Sequence, residues 1–172
     1  MTIPSQLIIL RIFLILPFLA LLAVGGEIGR YAALTIFIIA AATDLFDGVI
    51  ARKCNQVTDF YKIMDPLADK LLICSALIAL LAAGAVPAWF VIMIVFRDFI
   101  ITGLRLFIIK ENAVPGAVIT GKINTFLQMA LIIVILAGYT SHILIYAIVL
   151  FTIISLAENF IRNFDTIKRI KL

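Results

Sequence analysis

Residues 42–70 read ATDLFDGVIARKCNQVTDFYKIMDPLADK and lie between two stretches of almost pure hydrocarbon. They hold Asp44, Asp47, Asp59, Asp65 and Asp69, half of the chain's 10 acidic residues. An ionised aspartate at mid-bilayer costs roughly 2.5–3.5 kcal/mol on insertion scales, and several placed together repel one another. Capping in the headgroup region accounts for Asp59, which stands as an N-cap ahead of an apolar run. It does not account for the other four.

The surroundings set the environment. The 172 residues are 65% hydrophobic, with a mean hydropathy of +1.23, far more apolar than a soluble core of this size needs. About 20 apolar residues cross roughly 30 Å of hydrocarbon as a helix. Six such spans are expected, at about 6–24, 31–52, 60–82, 87–110, 118–138 and 142–162. Turn-type residues punctuate them: VGGEIGR, GAVP and GYTSH. The expected fold is an all-α integral membrane bundle of six transmembrane helices, forming one domain over 1–172 with no soluble part.

With both termini cytoplasmic, the inner loops, helix ends and tail hold all of the 14 Lys and Arg except Arg30. That is the asymmetry of the positive-inside rule. The net charge of +4 therefore reflects topology and attraction to anionic lipid headgroups rather than nucleic-acid binding. The first residues, MTIPSQLIILRIFLILP, have no basic n-region, and Arg11 interrupts their apolar run, so they do not read as a signal peptide. Cys54 and Cys74 are expected to be packing residues rather than a disulfide framework. His142, the single histidine, has no acidic neighbour and makes a poor metal site.

Helical spacing then arranges the acids. Residues three or four apart share a face, so Asp44, Asp47, Gly48 and Ala51 form one stripe at the inner end of span two. Tyr61, Asp65 and Asp69 form another at the start of span three. The connection, roughly 53–59, is short enough to make the two helices antiparallel neighbours. Two carboxylate pairs then face a groove lined by small residues, with no basic side chain on either stripe. Hard divalent cations offset such a charge, and all-oxygen ligation suits Mg²⁺, Mn²⁺ or Ca²⁺.

The pattern Asp44-x-x-Asp47-Gly48-x-x-Ala51-Arg52, eight residues, then Tyr61-x-x-x-Asp65-x-x-x-Asp69 resembles the signature of the CDP-alcohol phosphotransferase family. That signature has glycine where this chain has Tyr61. IPSQLIILRI, RDFIITGLRL and GKINTFLQ resemble further motifs of the branch that makes phosphatidylglycerophosphate. Ser5, Ile8, Asp98 and Asn124 depart from it, standing where the branch has Asn, Thr, Glu and Lys. The resemblance covers most of residues 2–130 and, beyond them, mainly SLAENF at 155–160.

The resemblance implies a six-helix transmembrane fold, transfer of a phosphatidyl group from CDP-diacylglycerol to glycerol 3-phosphate, and release of CMP. It implies two divalent ions, Mg²⁺ or Mn²⁺, on Asp44, Asp47, Asp65 and Asp69, with Asp69 also the general base. Gly48, Arg52, Thr58 and Tyr61 are implied at the CDP-lipid, and Arg97, Arg105 and Lys122 at the acceptor's phosphate. Arg97 has an alternative partner in Asp98. A homodimer in a bacterial inner membrane, its active site facing the cytoplasm, completes the expectation. The competing readings are a sister transferase with another acceptor (making cardiolipin, an inositol phospholipid or phosphatidylserine), a family member that binds without catalysing, and a cation transporter. Against transport, the acids cluster at one end, and only Glu27 and Arg30 are charged near the other.

Overall fold

The computed structural model describes residues 3–53, 59–110 and 119–169, with side chains described at 6–43, 64, 67–104, 108 and 119–163. The described residues form helices only: α1 (Ile3–Val24), α2 (Gly26–Lys53), α3 (Asp59–Ala82), α4 (Ala88–Lys110), α5 (Ile119–Leu136) and α6 (His142–Arg169). Four of them contain segments long and apolar enough to cross a membrane: Gln6–Val24, Gly26–Thr43, Ile119–Leu136 and His142–Asn163. Large apolar side chains such as Phe13, Leu16, Phe96, Phe99 and Phe126 are exposed. A lipid environment accommodates such a surface and water does not, so these helices support an integral membrane protein.

Helix ends follow from backbone chemistry. Gly25 and Gly26 at the α1–α2 turn, Gly84 after α3 and Gly138 after α5 all adopt positive φ, which side chains with a Cβ rarely tolerate. After α3, Gly84 N–H bonds to Leu81 C=O and Ala85 N–H to Leu80 C=O. After α5 the equivalent pairs are Gly138 to Ile135 and Tyr139 to Val134. Both are Schellman closures, which satisfy carbonyls left open by the last turn. The α1–α2 reversal is tighter than the expected VGGEIGR turn. Two left-handed glycines suffice, so Glu27 to Arg30 already belong to α2, a helix of 28 residues. At the other end of the chain, α6 runs to Arg169 rather than about 162, its polar last turns continuing the helix.

The chain divides into two compact units. Met1–Val86 with Ile132–Thr140 make the first, and Pro87–Leu131 with Ser141–Leu172 the second. In the first unit α1 packs against both α2 and α3. Gly29, Ala33, Phe37 and Ala40 form a buried stripe on α2 at helical spacing, the small-residue pattern that lets membrane helices approach closely. Gly29 is the tightest point: a Cβ there would lie 2.6 Å from the Leu21 carbonyl oxygen on α1. Phe18 of α1 and Phe37 of α2 fill the space beyond, their ring centroids 5.8 Å apart. Ile8 of α1 buries against Ala68 of α3, with Ile12 and Met64 around them.

In the second unit α4 packs on α6. Its apolar core includes Phe90, Ile94 and Ile101 of α4 and Ile145 and Ile148 of α6. Near the start of both helices Trp89 stacks on Tyr146, centroids 5.7 Å apart and planes 20° from parallel. Amphipathic aromatics of this kind favour the membrane–water interface.

Candidate active site

The last turns of α2 carry Asp44, Asp47, Gly48 and Arg52, and the first turns of α3 carry Tyr61, Asp65 and Asp69. Both acidic stripes therefore stand on helix, as their spacing predicts. The side chains of Asp44, Asp47, Arg52, Tyr61 and Asp65 and the surroundings of Gly48 lie outside the described residues, as do Thr58 and Cys54 altogether. Of the carboxylates proposed as metal ligands, Asp69 is the described one.

Asp69 follows Ala68, which is fully buried in one cluster with Ile8 of α1. The α1 contact thus fixes the α3 turn from which this carboxylate projects. Ile8, which departs from the family's threonine, belongs to that contact. The Asp69 side chain is 16% exposed, and its Oδ2 lies 3.3 Å from Lys70 Nζ. Its Oδ1 is buried and, among the described residues, has no hydrogen-bond donor. An unsatisfied buried carboxylate oxygen is costly, and a hard divalent cation takes that kind of ligand. The donor set at 44, 47, 65 and 69 is all oxygen. On both counts these residue types suit a hard divalent cation.

The basic side chains expected at the acceptor's phosphate fall in the second unit. Arg97 is buried in α4 and takes the alternative partner: its Nη1 donates to Asp98 Oδ1 at 2.7 Å. Its Nη2 donates to Ser155 Oγ on α6 at 2.6 Å. Nε remains buried without an acceptor among the described residues. Lys122 is on the exposed side of α5's first turns. Arg105 stands on α4, eight residues after Arg97, and its side chain lies outside the described residues.

Around Arg97 runs a buried polar seam that the sequence motifs only partly mark. Asn124 accepts a hydrogen bond from Thr152 Oγ1 at 2.9 Å. Gln128, one turn further along α5, is buried with neither amide atom partnered among the described residues. On α6 Thr152, Ser155, Asn159 and Asn163 are all buried. Asn159 Nδ2 donates to the Ser155 carbonyl at 2.8 Å, and Asn163 Nδ2 to the Asn159 carbonyl at 2.9 Å. Their three- and four-residue spacing within an apolar helix is the signal that marks them as one inward stripe.

A family model described as CDP-alcohol phosphatidyltransferase matches residues 1–154. A Bacillus subtilis protein named CDP-diacylglycerol–glycerol-3-phosphate 3-phosphatidyltransferase is 37% identical, covering 96% of both chains. A Rickettsia typhi protein of the same name is 37% identical over 83% of this chain and 80% of its own. A Mycobacterium tuberculosis protein named probable phosphatidylglycerophosphate synthase is 40% identical over 71% of this chain and 59% of its own. With its acidic stripes on two helices, its membrane-length apolar segments and a family match over most of its length, the chain belongs to the CDP-alcohol phosphatidyltransferase family.

Proposed function

We propose that this protein transfers the phosphatidyl group of CDP-diacylglycerol to glycerol 3-phosphate, giving phosphatidylglycerophosphate and CMP. The observation that carries the reading is 37% identity, across nearly the whole of both chains, to a relative named for that reaction. The catalytic unit is the whole chain, 1–172, arranged as six spans with both termini and the active site on the cytoplasmic side of a bacterial inner membrane. It works as a homodimer. The concentration of Lys and Arg at one end of the spans supports this orientation.

Asp44, Asp47, Asp65 and Asp69 hold two divalent ions, Mg²⁺ or Mn²⁺. Bound there, such ions would supply positive charge to offset the negative charge that develops on the diphosphate as it is displaced. Asp69 takes the proton from the attacking hydroxyl of the acceptor. Gly48 leaves room for the nucleotide, Arg52 makes charge-assisted bonds to the diphosphate, and Thr58 and Tyr61 complete the CDP-lipid contacts. Arg97, Arg105 and Lys122 receive the acceptor's phosphate. Arg97 does so while oriented by Asp98 and Ser155.

A second reading, a sister transferase with a different acceptor, draws on Asn124. That residue replaces a cation of the family motif and bonds Thr152 instead. The deciding experiment supplies membranes containing the protein with CDP-diacylglycerol and labelled alcohols in parallel. Glycerol 3-phosphate is expected to yield labelled phosphatidylglycerophosphate and stoichiometric CMP. Preferential use of inositol phosphate, serine or phosphatidylglycerol would transfer the protein to the sister activity.

A further inference from the structure

The first unit carries a second polar feature, at the end of α2 opposite to the aspartates. A recess of about 440 Å³ opens beside the α1–α2 turn. Its walls include Gly25, Glu27, Arg30, Ala83, Gly138 and Thr140, all within that unit. Arg30 is half-buried there, and the backbone is shaped around it. Gly138 has φ +100°, and a Cβ on it would stand 3.1 Å from Arg30 Nη2. The guanidinium lies over the Tyr31 ring at 5.2 Å. Among the described residues no carboxylate pairs with Arg30, and its buried Nε has no acceptor. Glu27, one turn away and lining the same recess, forms no ion pair with it among the described residues. Two opposite charges thus share one recess without neutralising each other.

Arg30 is also the one basic residue that the positive-inside pattern leaves at this end of the helices, so topology does not explain it. The recess is also lined by apolar Leu22, Leu80, Ile135 and Leu136, and Val24, Ile28 and Tyr139, next in sequence to lining residues, are strongly exposed. A ligand that meets both the charges and this apolar surface has a phosphate, an ammonium group and hydrocarbon.

We propose that this recess binds the headgroup of a zwitterionic phospholipid, its phosphate on Arg30 and its ammonium group on Glu27, in the membrane face away from the aspartates. Arginine offers paired N–H donors to a phosphate, and Glu27 at the same recess disfavours a headgroup that is only anionic. Arg30 and Asp44 are fourteen residues apart on one helix, roughly 21 Å at 1.5 Å rise per residue. The site is therefore separate from the proposed chemistry and stands whether or not that assignment holds.

The test uses the full chain in nanodiscs containing equal phosphatidylethanolamine and phosphatidylglycerol, followed by native mass spectrometry of the lipid retained on release. The wild-type chain is expected to keep phosphatidylethanolamine. Arg30→Gln should lower that occupancy by roughly tenfold or more, the scale of one charge-assisted hydrogen bond. Glu27→Gln should erase the preference over phosphatidylglycerol. Phosphatidyl transfer in detergent should be unchanged in both variants, which also shows that they fold. Retention of lipid by Arg30→Gln, no preference in the wild type, or a preference untouched by Glu27→Gln would overturn the proposal. So would displacement of the lipid by millimolar inorganic phosphate, which would make this a free-anion site, or loss of transfer together with lipid in Arg30→Gln.

Discussion

Asp69 shows how far one residue can be argued. Its importance is legible from sequence, because a carboxylate four residues after Asp65 in an apolar chain demands a partner. Its undonated Oδ1 is visible only once α1 has closed over Ala68. Asp69→Asn keeps the shape and removes the proposed base, so transfer should fall about 10²- to 10⁴-fold, the range for a general base. Binding of CDP to the variant, followed calorimetrically, should persist; full turnover would remove Asp69 from that role. Tyr61 is the complementary case, a phenol where the family pattern has glycine. If its ring crowds the nucleotide, Tyr61→Gly lowers the Kd for CDP, and an unchanged Kd means the ring points elsewhere. Arg97 was legible as a deep cation with a competing acid beside it, but not as a bridge to α6. Its second partner, Ser155, is fifty-eight residues away and looks in the sequence like any small residue of a membrane helix.

Among elements, the helices themselves were the most legible part, because apolar runs of spanning length and left-handed glycines are local signals. Departures occur where a local rule is ambiguous, as at the start of α2, where VGGEIGR contains more turn-forming residues than the turn uses. The α1–α2 contact depends on Gly29. Gly29→Val forces α1 and α2 apart at the Leu21 carbonyl and should cost about 1–3 kcal/mol, the range for overpacking. Lower thermal stability in detergent would register it; an unshifted melt would show that the helices separate freely. The α4–α6 contact depends on charge instead. Arg97→Leu strips Asp98 of its guanidinium and should cost roughly 3–5 kcal/mol, as breaking a buried pair does. Arg97→Leu with Asp98→Leu should recover much of that loss, because the Asp98 carboxylate is then no longer buried without the guanidinium. A double variant as unstable as the single one would mean that the pair contributes nothing beyond its packing. The polar stripe on α6 was harder to foresee, since Thr, Ser and Asn in a membrane helix can equally bond their own backbone, as Asn159 and Asn163 do.

For the molecule as a whole, composition and charge asymmetry were enough to indicate a membrane protein. The division into two compact units was not legible, because it depends on contacts between residues distant in sequence. Chelation with EDTA should abolish transfer, and added Mg²⁺ or Mn²⁺ should restore it; activity that survives exhaustive chelation would refute the ligand assignment at 44, 47, 65 and 69. One further consequence lies in the length of α2. Its 28 residues extend roughly 42 Å at 1.5 Å per residue, close to the full thickness of a bilayer with both headgroup layers. One rod of that length is long enough for its two polar ends to reach opposite headgroup layers at once. At the aspartates proposed as its site, a diphosphate carried by a lipid would be met near the depth where its own tails begin. The donor would then have no need to leave the membrane in order to react, and the loss of about 0.8 kcal/mol for every methylene drawn into water would not arise.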